Sequence, residues 1–254
     1  MTEAYESDWL ALEIGNSRLH WSWFKGERLV KTWDSKHISK ISEELMREIL
    51  PYDLIEQFFL KLPLYVASVV PAQTVIWQNY PNCRSIDIKD IPLIGIYPTL
   101  GIDRALAAWG GTEVWGCPCL IIDGGTALTF TGVDSDRVLV GGAILTGLRL
   151  QFISLSQKTA ALPEVTLTQK LPNRWANNTI EAIESGIIYT AIAGIRDFIL
   201  DWRDRFPDSK ILLRGGDANL LLNYLQILHP EVGEKIIIDR NLVFWGMRLF
   251  HFSR

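Results

Sequence analysis

The sequence predicts a duplicated α/β protein of two lobes, and three observations carry that reading. LALEIGNSRLHW near the start and LIIDGGTALTF about 110 residues later share one pattern: apolar strand, acid, glycine, small polar residues, then a second strand. Each copy opens a run of three short strands. Each run is followed by alternating helix and strand, so one supersecondary plan is used twice.

Taken in order, the first copy predicts strands Trp9 to Ile14, Leu19 to Phe24 and Arg28 to Trp33, turned at Gly15-Asn16 and Lys25-Gly26. Leu45, Ile49, Ile55 and Phe59 have helical spacing across 42–60, with Pro51 breaking or beginning a helix. A strand follows at Leu64 to Val70 and a helix at Ala72 to Tyr80. The second copy predicts strands Cys119 to Asp123, Leu128 to Val133 and Val138 to Gly142. A long helix from Thr179 to about Arg205 aligns Ile180, Ile183, Ile187, Ile188, Ala191, Ile195, Phe198 and Trp202. Then come strand Lys210 to Arg214, a helix capped by Asp217, strand Lys235 to Asp239 and a last helix Leu242 to Phe250. The boundary is placed at Gly110-Gly111, giving lobes of 1–110 and 111–254, with a cleft between lobes as the expected ligand site.

At 254 residues, 48% hydrophobic and 21% charged, the chain has the composition of a folded protein with a sizeable core. A net charge of -4 without a basic stripe argues against a nucleic-acid partner. The acidic opening MTEAYESDW is unlike a secretory signal, and no apolar run is long enough to span a bilayer. Three cysteines fit a reducing compartment, so a cytoplasmic protein without a membrane partner is expected. Cys117 and Cys119 lack a second pair, and His20, His37, His229 and His251 lack ligand spacing, so packing is the expected role of both sets.

The chemistry concentrates in glycine-rich strand ends. A tight turn exposes backbone N–H groups to an anion, small residues admit a phosphate, and Ser17, Thr126 and Thr129 add hydroxyls. The acids Glu13 and Asp123 suit a hard cation, directly or through water. One such turn alone reads as a hairpin with a solvent-facing acid; the second copy at a matching place favours a clamp for nucleotide phosphates. GGAILTG at Gly141 to Gly147 and RGGDANLL at Arg214 to Leu221 add two more glycine elements. Neither G-x-x-x-x-G-K-[ST] nor G-x-G-x-x-G occurs, which excludes the P-loop and dinucleotide fingerprints. In YPTLGIDRALAAWG, Asp103 and Arg104 open a helix, where a carboxylate is favoured in its charged form. They fit the proton acceptor and the cation that phosphoryl transfer to an alcohol needs. Spacing alone leaves open an ordinary first-turn acid beside a surface arginine.

The series EIGNS, GIDR, DGGTA, GGAILTG and NTIEAIESG resembles the type III pantothenate kinases in order and separation, from about Leu10 to Gly246. The resemblance implies the actin, sugar kinase and Hsp70 superfamily: duplicated ribonuclease H-like (actin-like ATPase) lobes with mixed five-stranded sheets. It implies transfer of the ATP γ-phosphate to pantothenate, the first step of coenzyme A biosynthesis, by a homodimer using Mg²⁺ and a monovalent cation, K⁺ or NH₄⁺. It gives Glu13, Ile14, Gly15, Asn16, Ser17, Arg18, Leu19 and His20 to the first ATP loop and Thr126 to the second. Asp123 would help bind the monovalent cation, and Glu13 would reach Mg²⁺ through water. Tyr97, Gly101, Ile102, Asp103 and Arg104 would hold pantothenate, with Asp103 as proton acceptor and Thr179 completing the pocket across the dimer interface. Gly186, Ala193 and Gly194 on the long helix suit close packing between subunits or within the core. Two positions depart from the family pattern: Glu13 stands where Asp is usual, and Thr146 where Pro is preferred. The extra methylene of Glu13 shifts its carboxylate by roughly one C–C bond, about 1.5 Å. Two rival readings accompany the kinase: a polyphosphate or nucleotide phosphatase of the same fold, and a non-catalytic nucleotide-binding accessory protein.

Overall fold

A computed structural model describes residues 7–253, so residues 1–6 of the acidic opening lie outside it. The chain divides into two compact units, one holding everything up to Gly110 together with the segment from Leu242, the other Gly111–Asn241.

The first unit begins with the meander β1 (Asp8–Ile14), β2 (Leu19–Lys25) and β3 (Arg28–Ser35). The chain then passes through α1 (Glu43–Ile49) and α2 (Tyr52–Phe59) to β4 (Leu64–Ser68), and through α3 (Pro71–Gln78) to β5 (Cys83–Ser85). The sheet order is β3-β2-β1-β4-β5, antiparallel over the meander and parallel from β1 outward through β4 and β5. Strand β1 is buried almost throughout because it is central and covered on both faces. Strand β3, at the edge, has no buried residue. Pro51 lacks the N–H that would continue a helix and separates α1 from α2. Ser42 caps α1, its hydroxyl accepting from the Leu45 N–H at 3.4 Å. On α2 the buried aromatic is Phe58, whereas Phe59 is exposed, contrary to the spacing argument.

Helix α4 (Ile102–Trp115) carries the chain into the second unit. There β6 (Cys119–Gly124), β7 (Ala127–Val133) and β8 (Leu139–Thr146) form the second meander. Helices α5 (Leu148–Lys158) and α6 (Thr179–Arg205) lead to β9 (Lys210–Arg214). Helices α7 (Ala218–Leu228) and α8 (Pro230–Gly233) lead to β10 (Ile236–Ile238). The order β10-β9-β6-β7-β8 repeats that of the first sheet, with β9 and β10 parallel to β6. These are the mixed five-stranded sheets expected of duplicated ribonuclease H-like lobes. Along α6, Ile183, Ile187, Ile188, Ala191, Ile195, Ile199 and Trp202 enter the core, while Ile180 and Phe198 stay exposed. Asn178 caps this helix by accepting from the Glu181 N–H at 3.0 Å.

Three features differ from the sequence reading. Strand β5 and helices α5 and α8 are additional elements. Asp217 sits at the N-cap of α7 but makes no side-chain capping bond; its carboxylate accepts instead from Arg149 Nε at 3.1 Å. The last helix, α9 (Leu242–Phe252), belongs with the first unit, although the sequence reading ended the second lobe at residue 254. The reason is a close helix crossing: a Cβ on Gly110 would lie 2.1 Å from the Leu242 carbonyl oxygen, and one on Gly246 2.4 Å from that of Leu106. Only glycine permits backbones to approach so closely.

Candidate functional site

In the first turn, the Gly15 N–H donates to the Arg18 carbonyl at 3.0 Å and closes a link of four residues between β1 and β2. Ile14 and Leu19 are the last cross-strand pair and both are buried, so they offer a ligand only backbone. Asn16, Ser17 and Arg18 are exposed at the tip. The turn is braced from one side. Asp34 on β3 takes His20 Nδ1 at 2.8 Å and Arg18 at 3.7 Å, and His37 Nε2 donates to the Gly15 carbonyl at 2.8 Å. Glu13 is only 6% exposed, and its cross-strand neighbours are His20 on β2 and Ala67 on β4.

The second turn has the same position in its sheet and different surroundings. Asp123 lies opposite Thr129 on β7 and Arg214 on β9, and Arg214 Nη1 meets Asp123 Oδ2 at 3.0 Å. Thr126 is exposed at the tip, and its carbonyl accepts from the Gly147 N–H at 2.9 Å. The glycine elements that are far apart in sequence converge here. A Cβ on Gly147 would lie 2.0 Å from the Gly125 carbonyl oxygen. One on Gly215, whose φ is +95°, would lie 2.5 Å from Asp123 Oδ1 and 2.6 Å from the Gly124 backbone. The Asp217 N–H donates to the Gly124 carbonyl at 2.9 Å, tying the start of α7 to the same turn. Gly147 and Gly215 thus pack directly against the turn, at positions where a side chain would collide with it.

The GIDR segment folds as the first turn of α4. A turn closed by Leu100 N–H to the Tyr97 carbonyl (3.0 Å) precedes it. Asp103 Oδ1 accepts from the Arg104 N–H at 2.8 Å, and a Cβ on Gly101 would lie 2.4 Å from that oxygen. Gly101 therefore clears the space in which the carboxylate sits. Arg104 is only 8% exposed and donates through Nη1 to the Tyr97 hydroxyl at 3.2 Å, so it is not the surface arginine that spacing left open. Ile102 is buried beneath this turn and Tyr97 is partly open to solvent. Thr179 opens α6 in the second unit and lines a cavity of about 410 Å³ with Leu155, Leu162, Ala182, Ile183, Gly186 and Ile187.

Within the first unit the structure assembles Glu13 to His20 as one braced turn and Tyr97 to Arg104 as one acidic helix start. Within the second it gathers Asp123, Thr126, Gly147 and Gly215 into one patch. The family model of type III pantothenate kinase matches residues 9–201. The chain belongs to the type III pantothenate kinase family. It is 52% identical to a type III pantothenate kinase of Nostoc sp., over 96% of this chain and 94% of that one. It is 42% identical to one from Synechocystis sp., covering 97% and 91% of the two chains. Among solved structures, a conserved Baf family protein of Campylobacter jejuni, described as a putative transcriptional activator, superposes with a TM-score of 0.64 at 22% identity. That match covers 96% of this chain and 98% of that one, a likeness of fold.

Arg214 and Arg149 were not singled out as site residues by the sequence. Arg214 ends the apolar strand KILLR directly before two glycines, and a charge at the buried end of a central strand is the signal that marks it. Arg149 meets Asp217 at 3.1 Å through both Nε and Nη2, so two Arg–Asp pairs border the second turn. Among the described residues no group of three or more His, Cys, Asp or Glu side chains could hold a metal ion by itself, and no helix is long and apolar enough to cross a membrane.

Proposed function

We propose that this chain transfers the γ-phosphate of ATP to the terminal hydroxyl of pantothenate, forming 4'-phosphopantothenate in the first step of coenzyme A biosynthesis. Family membership over nearly the whole chain carries this reading. The reaction is ATP-dependent and takes a divalent metal with the nucleotide. That ion would take most of its oxygens from the phosphates, with Glu13 reaching it through water. When bound, it supplies charge against the transferring phosphoryl group.

The chain's own residues divide the remaining work. The exposed tip Asn16 to Arg18, with its backbone at Gly15 and its brace at His20, holds phosphates from the first turn, and Thr126 with its glycine patch does so from the second. Asp103 orients the pantothenate hydroxyl and accepts its proton late in an in-line transfer. The transition state of phosphoryl transfer is loose, so orientation and electrostatics carry most of the rate. The clearance made by Gly101 supports this placement of the carboxylate. Arg104, held by Tyr97, faces the substrate carboxylate or neutralises charge.

The homodimer belongs to this reading. Gly186 and Gly194 have no atom within 4 Å of an added Cβ, and Ala182 and Ala193 are exposed beside them, an open small-residue face that supports this reading. In this reading Thr179 completes the pantothenate pocket across the interface between subunits. A cytoplasmic enzyme without nucleic-acid or membrane partners completes the reading, in keeping with its acidic balance. Its test is ADP release measured with and without pantothenate. Release that requires pantothenate is expected; equal release in its absence indicates a phosphatase, and ATP binding without turnover indicates an accessory protein.

A further inference from the structure

We propose that Arg214 is a resident cation for the second phosphate turn, so that this chain works without the potassium or ammonium ion its family resemblance implies. The proposal rests on the kinase reading above. The implied ion would need Asp123 as its charged ligand, and the surroundings of Asp123 do not fit one. Parallel pairing of β9 with β6 sets Arg214 directly beside Asp123, and the Nη1 to Oδ2 distance is 3.0 Å. The arginine side chain is 8% exposed and the aspartate 22%, so water screens the pair weakly. The other carboxylate oxygen, Oδ1, lies against backbone, 2.5 Å from where a Gly215 side chain would begin and 3.4 Å from the same point on Gly125. One oxygen thus faces a guanidinium and the other a wall of glycine.

The neighbouring acid is occupied as well, since Asp217 is paired with Arg149. A monovalent cation entering here would meet two acids already matched by two arginines, and would sit beside a guanidinium that never loses its charge. The guanidinium supplies the same single positive charge, fixed to the strand end from which the glycine patch begins. In the first unit the residue paired with Glu13 at this position is Ala67, so the device belongs to the second turn. Arg214 is a positioning residue: it acts on the phosphate turn through Asp123.

The test compares pantothenate phosphorylation in choline chloride, KCl and NH₄Cl at equal ionic strength, alongside thermal unfolding in the same salts. Wild type is expected to show rates within about twofold across the three and a Tm indifferent to the cation, whereas a tenfold activation, worth about 1.4 kcal/mol, would overturn the proposal. Arg214→Ala is expected to lose at least about tenfold in choline, to regain rate in KCl or NH₄Cl, and to acquire a potassium-specific rise in Tm. Loss of rate that no cation restores would reduce Arg214 to a structural pair and also overturn it. Arg214→Lys keeps the charge and should keep the potassium-to-choline ratio near one; if Arg214→Ala fails to fold, this variant and wild type still decide. Absence of pantothenate phosphorylation in every salt would instead strike at the kinase reading, with the Tm comparison still reporting on the cation.

Discussion

The two acid-and-glycine turns occupy the same place in two sheets of the same order, yet their acids live in different company. Glu13 on β1 is paired across the sheet with His20 and Ala67, and Asp123 on β6 with Thr129 and Arg214. The first turn is held by side chains from outside it, through Asp34 and His37. The second is held by backbone, through Gly147, Gly215 and the start of α7. Duplication preserved the strand plan, and the parallel neighbour strand decides what each acid can do. Arg214 sets a guanidinium against Asp123, whereas the register neighbours of Glu13 are His20 and Ala67, so the two acids face different chemistry.

The largest expected effect lies outside both turns. Asp103→Asn should lower kcat by about 10² to 10⁴ while leaving the fold intact by circular dichroism. Near-normal turnover would move the chemistry back into the turns and break the division of labour between them and the GIDR segment. Next comes a matched pair of glycine substitutions. Gly215→Ala places a Cβ against Asp123 and the Gly124 backbone at a φ of +95° and should destabilise by roughly 3 kcal/mol or more. Gly15→Ala meets its neighbours no closer than 3.6 Å and should cost less than about 1 kcal/mol. Denaturant melts of the two variants check the contrast; equal losses would mean that both turns are held in the same way.

Glu13→Asp restores the residue usual in the family and isolates one methylene. A shift of about 1 Å can change a rate up to a hundredfold, so kcat and its Mg²⁺ dependence should respond. A large gain marks Glu13 as a handicap, and an unchanged profile means that the braced first turn absorbs the extra length. The smallest effect concerns the first lobe alone. His251 on α9 stacks on Trp9 at 4.5 Å, with Tyr65, Phe252 and Arg84 as its other neighbours. Burial, and then the Arg84 charge, hold its pKa below the ordinary value. The unfolded chain therefore binds this proton more readily, so the contribution to stability is complete above the ordinary histidine pKa. It is lost as pH falls from there through the depressed one. The Tm of wild type should drop more between pH 7 and pH 5 than that of His251→Phe; parallel curves would remove the imidazole from the account.

Much of this was legible in the sequence because its signals are local. Gly15-Asn16 and Lys25-Gly26 punctuate a meander, and the 3.6-residue period over Thr179–Arg205 marks the long helix by itself. The site turns were legible as acid-plus-glycine strand ends. What escaped depends on distant pairing. Strand β5 is three residues, Cys-Arg-Ser, with no apolar alternation, and exists because β4 offers it an edge. The helix α5 sequence LRLQFISLSQK carries hydrophobics at both helical and alternating spacing, so its period is ambiguous. Nothing local tells that α9 returns to the first unit, since that depends on Gly110 and Gly246 meeting across 136 residues of chain. Arg214 reads as the end of a strand until the register with β6 sets it on Asp123. Asp217 reads as a cap until Arg149 claims its carboxylate.

The central claim is tested most directly by following the label from [γ-³²P]ATP in the presence of pantothenate. The account predicts that the label appears on the terminal hydroxyl of pantothenate, one for each ADP formed, and that Asp103→Asn slows its appearance by about 10² to 10⁴. Label released as inorganic phosphate at the same rate with or without pantothenate, or ATP bound and left intact, would contradict it.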